Sequence, residues 1–438
     1  MGSKKVVFVK SIVFSYGTKM TLLITGLMYT YLIANYLGPS DYGVVSYYIA
    51  LIGSIINVGG IYFLQSLYNL FIPRSRSKFF FMKVLRWQYC LAIMFFVFVF
   101  VFSQDIALFL NKEEFLFLRY AAFLLLLLPL HDSFMFLFKG FKCFGKVLKA
   151  EVVVSSLNLG LAFLLVVLLS FGIYGVIYAR VISLVVGIFI FACFFRKLRF
   201  WNYVVSMVEV KKYSCGAFMV NLFRGLSMFS FTVFLGMFLS TTMLGMFYIA
   251  QKLVGYAVSS LQSSIAEAII PFVAEDYKDK AFLNRYLSYS VKLSFIISLF
   301  SVIVLLLGGK LLLAILLPKY LPAYYIIVLY ALVASLGSFT VLNSAYMSQN
   351  RMDLLARVYF VGAVVTLVLS LLMIPVYGVY GAIFTLGISG VVQIVLSFYY
   401  LEKLGLSVDF IIRADDVRYF FGLIKIGYRR LLAAHGQS

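Results

Sequence analysis

Apolar stretches of about 20 residues recur from end to end of this chain, and nothing else in the sequence narrows the fold so far. A helix of that length crosses about 30 Å of hydrocarbon. Backbone N–H and C=O groups find no water there, so the stretches are helices rather than open strands. Of the 438 residues, 64% are hydrophobic and 12% charged, with mean hydropathy +1.04. Soluble domains hold roughly 45–50% apolar residues, so a soluble globular fold is excluded. The fold class is an all-α polytopic membrane protein. Twelve spans are expected, near residues 10–36, 43–70, 84–103, 115–138, 148–170, 173–195, 213–238, 243–272, 286–308, 322–349, 353–374 and 377–400. The first is long and runs into LGPSDYG instead of a small-residue cleavage site, so it reads as a span and not as a cleaved leader.

The formal charge of +21 raises nucleic acid as a partner, but its distribution argues against one. Lys4, Lys5 and Lys10 precede span 1, and Arg74, Arg76, Lys78, Lys83 and Arg86 follow span 2. Lys139, Lys142, Lys146 and Lys149 follow span 4; Arg196, Lys197, Arg199, Lys211 and Lys212 follow span 6. On the other side LGPSD, SFGI, STT and PVY carry no Lys or Arg, with Lys112, Lys310 and Lys319 as exceptions. This is the positive-inside pattern of a plasma (inner) membrane protein with both termini in the cytoplasm. The basic loops also attract anionic headgroups. Residues 405–438 are too charged to span and read as a cytoplasmic tail. Arg418, Lys425 and Arg429 share a helical face, which suits an amphipathic surface helix; a disordered tail is the alternative.

Cys90, Cys143, Cys193 and Cys215 lack metal-ligand spacing and imply no disulfide, and the two histidines add no metal site. No metal and no cofactor is expected.

The chain repeats itself. FGIYGVIYARVISLVVGI (171–188) aligns with YGVYGAIFTLGISGVVQI (377–394) at an offset of 206, matching Gly172 to Gly378, Gly175 to Gly381 and Ser183 to Ser389. LFLNKEEFLFLRY (108–120) resembles ILLPKYLPAYYIIVLY (315–330), and Gly43 pairs with Gly245. Six spans per half give both halves the same topology, related by an axis along the membrane normal, with the substrate site between them. The halves are residues 1–200 and 201–404.

Charges inside spans mark that site. In FMVNLFRGLSMFSF (218–231) Arg224 stands alone in an apolar run. Arg stays charged in any protein setting, and a charge at the bilayer centre costs about 3 kcal/mol on insertion scales. An offset of 205, one short of the repeat's 206, carries Arg224 onto Lys19 of span 1, and 206 carries Asn221 onto Ser15. Both cations lie about 15 Å from their cytoplasmic ends, near the midplane. Lys252 shares a face of span 8 with Ser259 and Ser263. Such a set fits a water-filled, net-positive cavity, and a guanidinium fork suits phosphate. Arg180 lies about eight residues from the outer surface and joins the candidates. The acids in or near spans are Asp132, Glu151 and Glu267. Either they pair with these cations, or Asp132, Glu267 and the His131–Asp132 couple serve ion or proton coupling.

NYLGPSDYGVVSYYIALIGSIINVGG resembles the span 1–2 signature of prokaryotic polysaccharide and oligosaccharide flippases, in the multidrug/oligosaccharidyl-lipid/polysaccharide exporter superfamily with its MATE-like fold. ILLPKYLPAYYIIVLYALVASLGSFTVLNSAYMSQNRMDLLARV is similar to that family's span 10–11 region, and PVYGVYGAIFTLGIS to its span 12. The resemblance implies two six-helix lobes around a central cavity lined by spans 1, 2, 7 and 8. It also implies transfer of a polyprenyl-(di)phosphate-linked oligosaccharide from the cytoplasmic to the outer leaflet, for cell-surface polysaccharide such as O-antigen. On this reading Lys19, Arg224, Lys252 and Arg180 hold the phosphates, and Asn221, Gln251 and Gln262 bond sugar hydroxyls. The expected partners are the lipid-linked oligosaccharide, the bilayer and the glycan polymerase or chain-length proteins of the same pathway. Two departures stand out. Many relatives carry an Asp where Phe231 precedes Leu235-Gly236, so a carboxylate-gated span 7 is not expected. Flippases of lipid-linked peptidoglycan precursors with fourteen spans also differ from twelve. The rival function is a MATE-type ion-coupled exporter of small organic molecules, which wants deep acids that span 1 lacks. A lipid-linked glycan polymerase is the second rival, without a recognisable acid–base constellation; no enzyme activity is expected.

Topology gives the first test. In a chain whose four native cysteines are replaced by serine, Lys149→Cys should react with an impermeant thiol reagent only from the cytoplasmic side, and Ser40→Cys only from outside. The reverse pattern would contradict the orientation.

Overall fold

The computed structural model describes residues 2–64, 67–68, 72, 76–112, 114–141, 143–200, 207–260, 262, 280–349 and 351–409. Glu267 and residues 410–438 of the tail lie outside them, as does the side chain of Lys19, although its backbone belongs to helix Gly2–Val58. Among the described residues the regular structure is entirely helical.

Nine helical stretches among these residues are long and apolar enough to cross a membrane. Two are double. Gly2–Val58 holds spans 1 and 2, and Met352–Lys403 holds spans 11 and 12, each broken at one glycine, Gly38 (φ 79°) or Gly378 (φ 58°). The expected loops between these spans therefore shrink to a single left-handed residue, which glycine adopts without steric cost. Pro39 then starts span 2, a first-turn position where its missing N–H costs nothing. Thr241–Val254 and its continuation supply span 8, which completes twelve.

The sequence repeat is physical. Gly172 and Gly378 both have positive φ, 57° and 58°. Three residues on, Gly175 and Gly381 each meet the backbone of the preceding span: a Cβ on Gly175 would lie 3.1 Å from the Leu165 carbonyl oxygen, and one on Gly381 would collide with that of Met373. The aligned serines also play one role. Ser183 Oγ bonds Asn158 Oδ1 of span 5 at 3.5 Å, and Ser389 Oγ bonds Thr366 Oγ1 of span 11 at 2.8 Å. One hairpin, built twice, joins spans 5–6 and 11–12.

Span 10 is not one helix. It runs as a 3₁₀ turn Pro318–Ala323, helix Tyr324–Ser335, a second 3₁₀ stretch Leu336–Leu342 and helix Asn343–Ser348. Span 9 is longer than expected, Lys280–Leu316. The start of the tail docks on it: Lys292 Nζ pairs with Asp409 Oδ2 at 3.1 Å, and Asp409 N donates to Ser288 Oγ at 2.9 Å.

The two halves close against each other where spans 1–2 and 7–8 connect, the outer end on the expected topology. A Cβ on Gly43 would strike the Thr241 carbonyl, and one on Gly245 the Pro39 carbonyl, so only glycines let spans 2 and 8 approach this closely. Ser40 and Thr241 hydroxyls bond at 2.8 Å. Two lysines then cross the seam in opposite directions. Lys112 Nζ donates to Leu239 O at the end of span 7 (2.8 Å), and Lys319 Nζ donates to Asn35 O at the end of span 1 (2.8 Å). These lysines occupy equivalent places in the two aligned segments, and each reaches helix-end carbonyls where a cation is favoured. Burial lowers the Lys112 pKa below the ordinary lysine value, and Glu114 opposes that. Two of the three lysines that break the positive-inside pattern thus form a reciprocal latch.

Replacing both, Lys112→Ala with Lys319→Ala, should weaken outer closure by about 1–2 kcal/mol, roughly a tenfold shift in population. Spin labels on the outer ends of spans 1 and 7 should then report a longer distance in a larger fraction of molecules. An unchanged distance distribution would contradict the latch.

Candidate functional site

Span 7 (within Met207–Phe238) is held between two neighbours. Gly225 meets span 2, where a Cβ would lie 2.8 Å from the Asn57 carbonyl carbon. Phe223 packs edge-on against Phe360 with centroids 5.0 Å apart, and Ser227 Oγ donates to Thr366 Oγ1 at 3.0 Å, both in span 11. At 100° per residue these contacts occupy opposite sides of the helix. One remaining side carries Met219, Leu222 and Leu226; the other carries Asn221 and Arg224. Arg224 is exposed, and among the described residues no carboxylate pairs with it. Asn221 is half-buried, with Nδ2 donating to Ala217 O at 2.8 Å, which leaves its oxygen available.

Lys252 lies in the last turn of helix Thr241–Val254 and is also exposed, although protein surrounds it closely. Arg180 of span 6 is within electrostatic range of it. The same arginine acts on Tyr29 of span 1, Tyr62 beyond span 2's helix and Glu151 of span 5. Arg180 is therefore within electrostatic range both of groups in the first half and of the lysine of the second.

Beneath Lys252 span 8 changes to a π-helical turn, Gly255–Ser259. Tyr256 in that turn fills the space left by Gly26, and its hydroxyl lies 3.5 Å from Thr30 Oγ1. Beside this span 1–8 seam is a cavity of about 260 Å³ lined by hydrocarbon, including Leu23, Leu27, Leu253, Leu312 and Leu313.

The polar residues of the first half form a separate cluster. His131 Nδ1 faces Asp132 Oδ1 at 3.3 Å, and His131 Nε2 faces Glu151 Oε1 at 3.6 Å. Tyr62 donates its hydroxyl to Asp132 Oδ2 at 3.1 Å. Glu151 was the part of this cluster that sequence spacing did not join to His131, because spans 4 and 5 meet only in the folded bundle.

Two glutamines behave differently from a shared sugar-binding role. Gln251 is half-buried and lies near the Tyr330 hydroxyl. Gln262 is buried inside the second half, where its Nε2 donates to Ser298 Oγ (2.9 Å) and Ala334 O (3.0 Å) and lies 3.4 Å from Ser335 O. Those carbonyls sit where span 10 passes from α to 3₁₀ geometry, and Gln262 adds a side-chain donor there beside the Leu336 N–H that reaches Ala334 O.

The twelve spans and the repeat among the described residues define a polytopic helical membrane protein of MATE-like architecture. The chain belongs to the polysaccharide biosynthesis protein family, whose model matches residues 32–323. Among solved structures it is similar to the lipid II flippase MurJ in an inward closed conformation (TM-score 0.67, 15% identity, 89% of this chain and 87% of that one). It is likewise similar to the MATE multidrug transporter DinF-BH (0.68, 18%, 91% and 95%). A third likeness is a MOP-superfamily transporter from Pyrococcus furiosus, for which reverse polarity of the binding pocket suggests a different function (0.59, 14%, 91% and 97%). At these identities the likeness establishes the fold. No curated protein matches the chain.

The role of Gln262 has a direct check. Gln262→Ala should cost about 1–3 kcal/mol by removing the buried hydrogen bonds that join spans 8, 9 and 10. Thermal unfolding in detergent should shift down by several degrees; an unchanged unfolding temperature would contradict the structural role.

Proposed function

We propose that this protein moves a polyprenyl-(di)phosphate-linked oligosaccharide from the cytoplasmic to the outer leaflet by alternating access, in the synthesis of cell-surface polysaccharide. The observation that carries the reading is a pair of exposed cations deep in spans, Arg224 and Lys252, without a carboxylate partner among the described residues. In hydrocarbon such charges need water or an anion. A diphosphate supplies the anion, and Arg accepts it through paired N–H donors.

In this scheme the headgroup enters between the halves from the cytoplasm. Arg224, Lys252, Arg180 and Lys19 hold the phosphates, and Asn221 and Gln251 bond the first sugars. The lipid tail remains outside, beside the span 1–8 seam, where the hydrocarbon-lined cavity suits its first isoprene units. The outer latch opens, the halves rock, and the headgroup leaves on the far side. Membrane potential, negative inside, favours export of negative charge by about 2.3 kcal/mol per charge per 100 mV. Asp132, His131 and Glu267 are the candidates for ion coupling.

An exporter of organic cations is the second reading, supported by the carboxylates Asp132 and Glu151. Both face His131, and Asp132 also accepts from Tyr62, which makes them poor ligands for a cation in the pathway.

Arg224→Ala and Lys252→Ala should each reduce flipping at least tenfold in reconstituted vesicles while membrane expression persists. Mass spectrometry of co-purifying lipids should find a polyprenyl phosphate or diphosphate species with the parent chain and lose it in the double variant. Full transport by the double variant would sink the site.

A further inference from the structure

His131, Asp132 and Glu151 lie within the first half, where His131 and Glu151 side chains are only 6% and 9% exposed. His131 Nδ1 faces an Asp132 oxygen, so Nδ1 carries hydrogen. In a neutral ring Nε2 is then an acceptor. It faces Glu151 Oε1, also an acceptor when ionised, at 3.6 Å, and neither atom has a hydrogen-bond partner among the described residues. Two enclosed lone pairs directed at one another are an unfavourable arrangement. One proton removes it: either imidazolium donates to carboxylate or carboxylic acid donates to imidazole. Glycine at 187 leaves room for the ring, since a Cβ there would lie 3.1 Å from His131 Cδ2, and Phe191 covers it edge-on at 5.4 Å. The charged or titratable groups around the pair are Asp132 and Lys139 from span 4, Tyr62 from the segment after span 2, and Arg180 from span 6.

Arg180 is the second half of the device. It lies within electrostatic range of Glu151 and Tyr62 and also of Lys252. Without the extra proton the cluster presents two carboxylates to Arg180. With it, one negative charge is cancelled, and more of the guanidinium's field falls on the space near Lys252. We propose that His131 and Glu151 form a one-proton site that sets whether Arg180 serves the acidic cluster or an anion held beside Lys252. This rests on the phosphate reading of the cation pocket. By linkage, a bound proton tightens anion binding and a bound anion tightens proton binding by the same factor. The sign is fixed by charge: lower pH strengthens binding.

The test uses the full-length purified protein and a short synthetic farnesyl diphosphoglucose. Its phosphodiester groups keep a constant charge across the range, so any proton uptake belongs to the protein. Calorimetry in buffers of different ionisation enthalpy should show affinity rising about tenfold from about pH 8 to about pH 6. It should also show uptake of about half a proton per ligand near the midpoint, the slope that a tenfold rise over two pH units requires. Glu151→Gln, checked for an unchanged unfolding temperature, should bind with little pH dependence and no uptake; His131→Gln should do the same. Arg180→Gln should bind more weakly and lose the pH dependence. Binding by the parent chain without proton uptake overturns the inference and leaves the phosphate reading standing, as does uptake that persists in both Glu151→Gln and His131→Gln. Absence of binding at every pH overturns both.

Discussion

A guanidinium cannot discard its charge, and hydrocarbon cannot solvate it. That constraint organises the molecule around Arg224. Span 7 packs span 2 through Gly225 on one side and span 11 through Phe223 and Ser227 on the other. Arg224 projects from neither contact. Apolar residues take one of the two free sides, and Arg224 with Asn221 takes the other. Lys252 repeats the pattern on span 8, open although closely surrounded. Charge is therefore kept where packing is incomplete, while Gln262, also polar and within a span, is buried and tied to protein.

The closing of the outer ends shows how duplication shapes mechanism. Gly43 and Gly245 permit backbone contact, and Lys112 and Lys319 cross that contact in opposite directions to reach helix-end carbonyls. A latch made of hydrogen bonds and small residues can release without unpacking a core. The π turn of span 8 and the 3₁₀ break of span 10 lie on the second half, irregularities of the kind that accompany movement in helices.

Much of this architecture was legible in the residues. Span length followed from hydropathy, and the Gly172/Gly378 and Gly175/Gly381 matches foretold one hairpin used twice. Lys112 and Lys319 stood out only as exceptions to the charge rule; their shared role needed the opposite half's helix ends, which local sequence does not encode. Gln262 read as a ligand for sugar because a polar side chain in a span invites that reading. Its partners come from spans 9 and 10, and nothing in its 3.6-residue periodicity announces them. His131 and Glu151, twenty residues apart, meet through the packing of spans 4 and 5. Arg180 gained its place in the same way, from neighbours on four other segments.

The central claim is that the space beside Arg224 is wet and electropositive. Arg224→Cys, in a chain lacking native cysteines, measures it through reaction with membrane-impermeant thiosulfonates of opposite charge. The account predicts ready modification, faster with the anionic reagent than with the cationic one because Lys252 and Arg180 remain. Modification only by membrane-soluble reagents, or faster by the cationic one, would contradict it.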